Sequence, residues 1–111
     1  MTVYIYPHKF VKQKYQENWQ ASDYSKEAAV DYVFTTTHIT NNDLNEAESR
    51  CESVKNTYPN TADLKFVAMG YSPLVAICYK KFAELDVPAV YFVKDELTGE
   101  LTERKLGGKN E

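Results

Sequence analysis

The chain has 111 residues, 43% of them hydrophobic and 26% charged, with a formal net charge of −3. That length holds one domain and a core without staples, read as residues 1–106 with a frayed, disordered tail at 107–111. A slightly acidic protein excludes a general nucleic-acid coat, which needs a broad basic face; a small anionic ligand held by a local basic rim stays open.

The first residues, Met1-Thr2-Val3-Tyr4-Ile5-Tyr6, carry no basic stretch followed by an apolar run. No stretch approaches the roughly 20 apolar residues of a membrane span. Cys51 and Cys78 fall among apolar neighbours on expected helices, as buried free thiols would. A cytoplasmic protein without a membrane partner is expected. Nine tyrosines suit interfaces and ligand surfaces, because each brings apolar area and a hydroxyl that needs a partner.

In chain order, Val3 to Tyr6 reads as a strand ended by Pro7. His8 to Trp19 reads as a helix with Phe10, Val11, Tyr15 and Trp19 inward, and Ala21 to Lys26 as a loop. Val30 to Thr40 reads as a second strand, because β-branched and aromatic residues favour a pleated backbone. Asn41-Asn42-Asp43 then offers helix caps, with Glu46 three residues after Asp43 as in a capping box. Leu44, Ala47, Cys51, Val54 and Tyr58 recur at helical spacing, Glu46, Glu48, Arg50 and Glu52 fall outward, and Pro59 stops the helix.

Leu64 to Met69 is nearly continuous in apolar residues apart from Lys65, as a central strand would be. After Gly70-Tyr71, Ser72 is placed to cap a helix and Pro73 to begin it. That helix buries Leu74, Ile77, Cys78, Phe82 and Leu85, and Asp86 closes it. Val87 to Val93 is another buried strand. Lys94 to Lys105 reads as a hairpin around Thr98-Gly99, its second strand at the sheet edge. The order β-α-β-α-β-α-β-β predicts a Rossmann-like α/β domain with a mostly parallel sheet and an antiparallel hairpin at one edge.

Ligands of open parallel sheets bind outside the carboxyl ends of the strands. That rule selects Pro7, His8 and Lys9; Thr36, Thr37 and His38; Gly70, Tyr71 and Ser72; and Lys94. Unpaired N–H groups and the positive pole of the helix behind Ser72 suit a phosphate, although Gly-x-Ser-Pro is also an ordinary way to begin a helix after a strand. His38 has the chemistry of a general base, and equally of a solvated loop residue. Lys9, Lys12 and Lys14 form a basic cluster or a solvated face. No spacing for a metal site, Walker loop, dinucleotide fingerprint or nucleophile elbow occurs, so no cofactor is expected. Asp95 and Glu96 are adjacent and point to opposite faces of a strand, so they do not form a carboxylate pair.

From Asp63 to Lys105 the succession strand, Gly-Tyr-Ser-Pro, helix, strand, hairpin resembles the carboxy-terminal half of the small CRISPR-associated ring nucleases and of CRISPR-associated Rossmann-fold domains. The resemblance implies a homodimer in antiviral defence that binds a cyclic oligoadenylate through Gly70, Tyr71 and Ser72. It also implies metal-free phosphodiester cleavage, by a ribose 2′-hydroxyl set against the neighbouring phosphate. His38 and Lys94 are added to this set by topology, as the groups that would handle the proton or the charge. The histidine that one such family carries early in the helix is absent: Leu74, Val75, Ala76 and Ile77 stand there. The alternative is a non-enzymatic interaction module, such as a phage-encoded inhibitor or accessory factor, that uses its tyrosines at an interface.

Overall fold

A computed structural model describes residues 2–9 and 29–107. Five strands form one sheet: β1 (Thr2–His8), β2 (Ala29–Phe34), β3 (Asp63–Val67), β4 (Ala89–Lys94) and β5 (Leu101–Leu106). Among the described residues two helices, α1 (Asn41–Asn56) and α2 (Ser72–Glu84), follow β2 and β3. The spatial order is β2-β1-β3-β4-β5, parallel through β4, with β5 antiparallel at the edge. The protein is therefore α/β with a mixed, mostly parallel sheet. The expected helix His8–Trp19 lies outside the described residues except for His8 and Lys9, and so does the tail beyond Gly107.

The two-residue period of the strands sorts the core into two layers. Val3, Ile5, Phe66 and Ala89 face α1 and α2 and join Ala47, Cys51, Leu74, Cys78 and Phe82. Tyr4, Tyr6, Val67, Val90 and Phe92 cluster on the opposite face. Burial on both sides explains why β1 and β3 read as apolar runs. Lys65 fits this layer because its Nζ donates to Glu103 Oε2 at 2.7 Å on β5, while Tyr4 OH donates to Glu103 Oε1. The expected stripe of α1 is the observed one: Ala47 and Cys51 are buried, and Leu44, Val54 and Tyr58 pack against the same core.

Besides β3, which ends at Val67 and not Met69, and β4, which starts at Ala89 and not Val87, four boundaries differ from expectation for a local reason. Pro7 does not end β1: it is fully buried and the strand runs on to His8, which pairs with Phe34. Proline is tolerated there because the pairing with β3 stops at Ile5↔Phe66, so no partner on that side needs its missing N–H. The second strand ends at Phe34, and Thr35 to His38 bend away exposed. The capping box of α1 is Thr40 with Asp43, one turn before the expected Asp43 and Glu46. Ser72 does not cap α2: Tyr71 is the N-cap, without a side-chain hydrogen bond, and Ser72 is already helical.

Candidate ligand site at the carboxyl ends of the strands

The chain leaves β1 in one direction to form β2 and returns across it to form β3, so the strand order reverses between β1 and β3. A crevice at such a reversal is the usual ligand position of an open α/β sheet.

His8 is the pin of this reversal. It is 7% exposed, and its Nε2 accepts the Tyr71 backbone N–H at 2.9 Å. A backbone amide can only donate, so Nε2 is unprotonated and Nδ1 carries the proton, donated to Lys9 O at 2.7 Å. Both ring nitrogens are thereby committed to the backbone. His8 fastens the β3–α2 loop to the end of β1 and is not poised to take a proton from a ligand.

Gly70 makes the fastening possible. Its φ of 139° suits glycine, and a Cβ there would lie 2.6 Å from His8 Nε2 and 3.1 Å from Pro7 Cγ. On the other side, Lys9 N–H donates to Thr36 O at 3.1 Å, and the Lys9 ammonium sits 5.5 Å from the centroid of the Tyr32 ring. Burial and then the Asp31 charge push the Tyr32 phenol pKa up. The structure thus brings together Pro7, His8, Lys9, Thr36, Gly70, Tyr71 and Ser72, from three strand ends.

Thr37 and His38 are exposed in the loop after β2, where the Thr36 hydroxyl donates to His38 O at 3.2 Å. Lys94, also exposed, closes β4 and runs beside its own hairpin, with Cε 4.0 Å from where a Gly99 Cβ would stand. Strands β2 and β4 are three positions apart in the sheet, about 14 Å at the usual spacing. His38 and Lys94 are therefore not brought together.

The rim carries apolar surface as well. Tyr71 is 47% exposed, Val93 38% and Leu97 97%. In the turn below Leu97, Asp95 Oδ1 accepts the N–H groups of Leu97 and Thr98 at 2.8 and 3.0 Å. Those bonds, from Thr98 and then Leu97, hold its carboxyl below the usual range. Asp95 is a turn-former here.

Two groupings have little signature in the sequence. Asp31 on β2 accepts the Tyr58 hydroxyl at 2.5 Å; a lone aspartate in a β-branched run was the hint. A cleft of about 260 Å³ lies at the opposite, amino end of the sheet, where no motif points. Among the described residues no His, Cys, Asp or Glu group is placed to hold a metal, and no helix is long and apolar enough to cross a membrane. Comparison with protein-family models, with curated proteins and with solved structures finds no match.

Proposed function

We propose that this protein binds a small phosphate-bearing ligand, specifically a cyclic oligonucleotide, at the carboxyl ends of β1 and β3 and across a cytoplasmic homodimer, on a Rossmann-like domain. The observation that carries the reading is the convergence of three strand ends on His8, at the reversal of strand order. Next to that pin lie Ser72 and the first turn of α2, which no side chain caps, while the Lys9 ammonium stands over the Tyr32 ring on the face of the sheet away from the helices. An anion is favoured at such a turn, where N–H groups lack intrahelical acceptors and the helix dipole is positive. The half-exposed Tyr71 ring offers a base a stacking surface.

Binding is supported better than cleavage. His8 spends both nitrogens on the backbone, and His38 and Lys94 stand at separate strand ends. Metal-free cleavage would require either to reach the ligand from the far sides of the crevice. A protein that holds the ring without opening it would act as a sensor or a sponge.

The test is a thermal-shift panel of cyclic oligoadenylates and cyclic dinucleotides, each hit then incubated without metal and examined for ring opening. A specific ligand at a hundred times its dissociation constant adds about 2.7 kcal/mol of stability. A shift with one ring size, lost in Ser72→Ala or Lys9→Ala, supports the reading; no shift with any ring overturns it. The second reading, an interaction module, is favoured by the exposed Tyr71, Val93 and Leu97 at the same end, and becomes the better one if every ring fails.

A further inference from the structure

The helical layer of the core holds both cysteines of the chain, and it brings them together. Cys51 on α1 and Cys78 on α2 are free thiols, fully buried in one cluster with Ala47, Leu74 and Phe82. Ala47 and Cys51 are the buried residues of α1, and Leu74, Cys78 and Phe82 those of α2. Four-residue spacing puts each cysteine on the inward stripe of its helix.

Two contacts show that the stripes meet at the thiols. Glu52, the residue after Cys51, accepts the Lys81 ammonium at 2.8 Å, and Lys81 lies one turn beyond Cys78. Close to that ion pair, the Cys78 thiol is hydrogen-bonded with Cys51. Little bulk separates the helices here, because α1 buries only an alanine and a cysteine, and interaxial distance follows the side chains at the contact.

Two thiols in contact become a disulfide by losing two electrons and two protons. A small disulfide of the glutathione class accepts both. One protein thiolate attacks it, breaking its S–S bond and releasing one glutathione thiol; the second attacks the mixed disulfide and releases the other. Burial keeps the native thiols from the first attack, so exchange runs through opened or unfolded chains. The fold therefore acts on the equilibrium. A close-packed layer has no room for a glutathione adduct, which leaves the internal bond as the oxidised form that the folded chain accommodates.

We propose that Cys51 and Cys78 are the site of an intramolecular disulfide, formed by exchange with a small oxidised disulfide, that staples α1 to α2 and stabilises the folded chain. Under reducing conditions the pair stays a dithiol that packs the core. The site is separate from the carboxyl-end crevice and does not depend on what binds there.

The test equilibrates the full chain in glutathione buffers of graded ratio, with and without concentrated urea, each point approached from the reduced and from the oxidised chain. Trapped samples are read by mass, as a loss of two hydrogens, and by the peptide that joins Cys51 to Cys78. Folding is expected to favour the disulfide about a hundredfold over the urea-unfolded chain. The bond must favour folding by the same factor, since the coupling is reciprocal. The oxidised chain should accordingly melt about 10 °C above the reduced one. Cys51→Ala and Cys78→Ala should each abolish the internal bond and take up one glutathione when unfolded. Equal oxidation of folded and unfolded chains, a glutathione adduct as the main folded product, or an internal disulfide that lowers the melting temperature would each overturn the proposal.

Discussion

Gly70 and His8 are fitted to each other: a Cβ on Gly70 would stand 2.6 Å from the ring nitrogen that accepts the next residue's amide. One residue supplies the absence of a side chain and the other a hydrogen-bond acceptor. Together they hold the β3–α2 loop on the end of β1.

Gly70→Ala is therefore expected to destabilise the fold by about 2 kcal/mol or more, combining positive-φ strain with displacement of a buried ring. In a His8→Ala background the main steric conflict disappears, leaving the backbone strain and the 3.1 Å approach to Pro7 Cγ. The two substitutions should couple by about 1 kcal/mol in a double-mutant cycle measured by denaturant unfolding. Additive losses would mean that ring and glycine do not act as a unit.

Asp86→Gly should move stability the other way. The substitution puts the preferred residue at the left-handed position of the Schellman turn that ends α2, where Val87 N–H donates to Phe82 O at 2.8 Å, and removes a carboxylate from the negative pole of that helix. Against this stands the greater freedom of glycine in the unfolded chain. The net expectation is a gain of about 0.5 to 1 kcal/mol, read as a higher denaturant midpoint with unchanged slope.

The strands and the stripe of α1 were legible because their signals are periodic and local. Val3 and Ile5 alternate with Tyr4 and Tyr6 between the two core layers, and Ala47 and Cys51 recur on one helix face. The register of the caps was less legible, since Thr40, Asp43 and Glu46 are spaced at successive threes and two capping boxes fit the same letters. Candidate site residues were found from one rule about strand ends. What the rule does not contain is their pairing: no local pattern says that His8 Nε2 will meet Tyr71 N–H across 63 positions. The amino-end cleft was illegible for a like reason, its lining being ordinary loop residues until the topology gathers them.

The choice between the two capping boxes can be measured. Thr40 Oγ1 accepts the Asp43 N–H at 3.1 Å, and Asp43 Oδ2 accepts the Thr40 N–H at 2.9 Å. Thr40→Ala should cost about 1 kcal/mol. Glu46 instead makes an exposed pair with Arg50 at 3.8 Å, so Glu46→Ala should cost a few tenths of a kcal/mol at most. Reversed magnitudes in thermal or denaturant unfolding would restore the later start of the helix.

Alkaline pH should expose two acids of the helical side, the part-buried Tyr58 and the buried Cys78. Burial, the hydrogen bond to Asp31 and the Asp31 charge push the Tyr58 phenol up to about 12, from an ordinary 10.0. The Cys78 thiol is pushed above its ordinary 9.0 by its hydrogen bond with Cys51 and by burial. Both groups hold their protons more tightly folded than unfolded, so their contribution is fully present below the unfolded values and falls as pH rises. Stability should therefore decline from about pH 9, where unfolded thiols ionise, and more steeply between 10 and 12, where the unfolded Tyr58 phenol ionises before the folded one. Tyr58→Phe removes the titrating hydroxyl, so the variant should be less stable at neutral pH, with Asp31 Oδ2 deprived of the Tyr58 donor and Oδ1 still accepting the Tyr32 N–H, yet lose less between pH 10 and 12. A parent and a Tyr58→Phe variant with parallel pH profiles would show that the Asp31 contact does not hold the phenol proton.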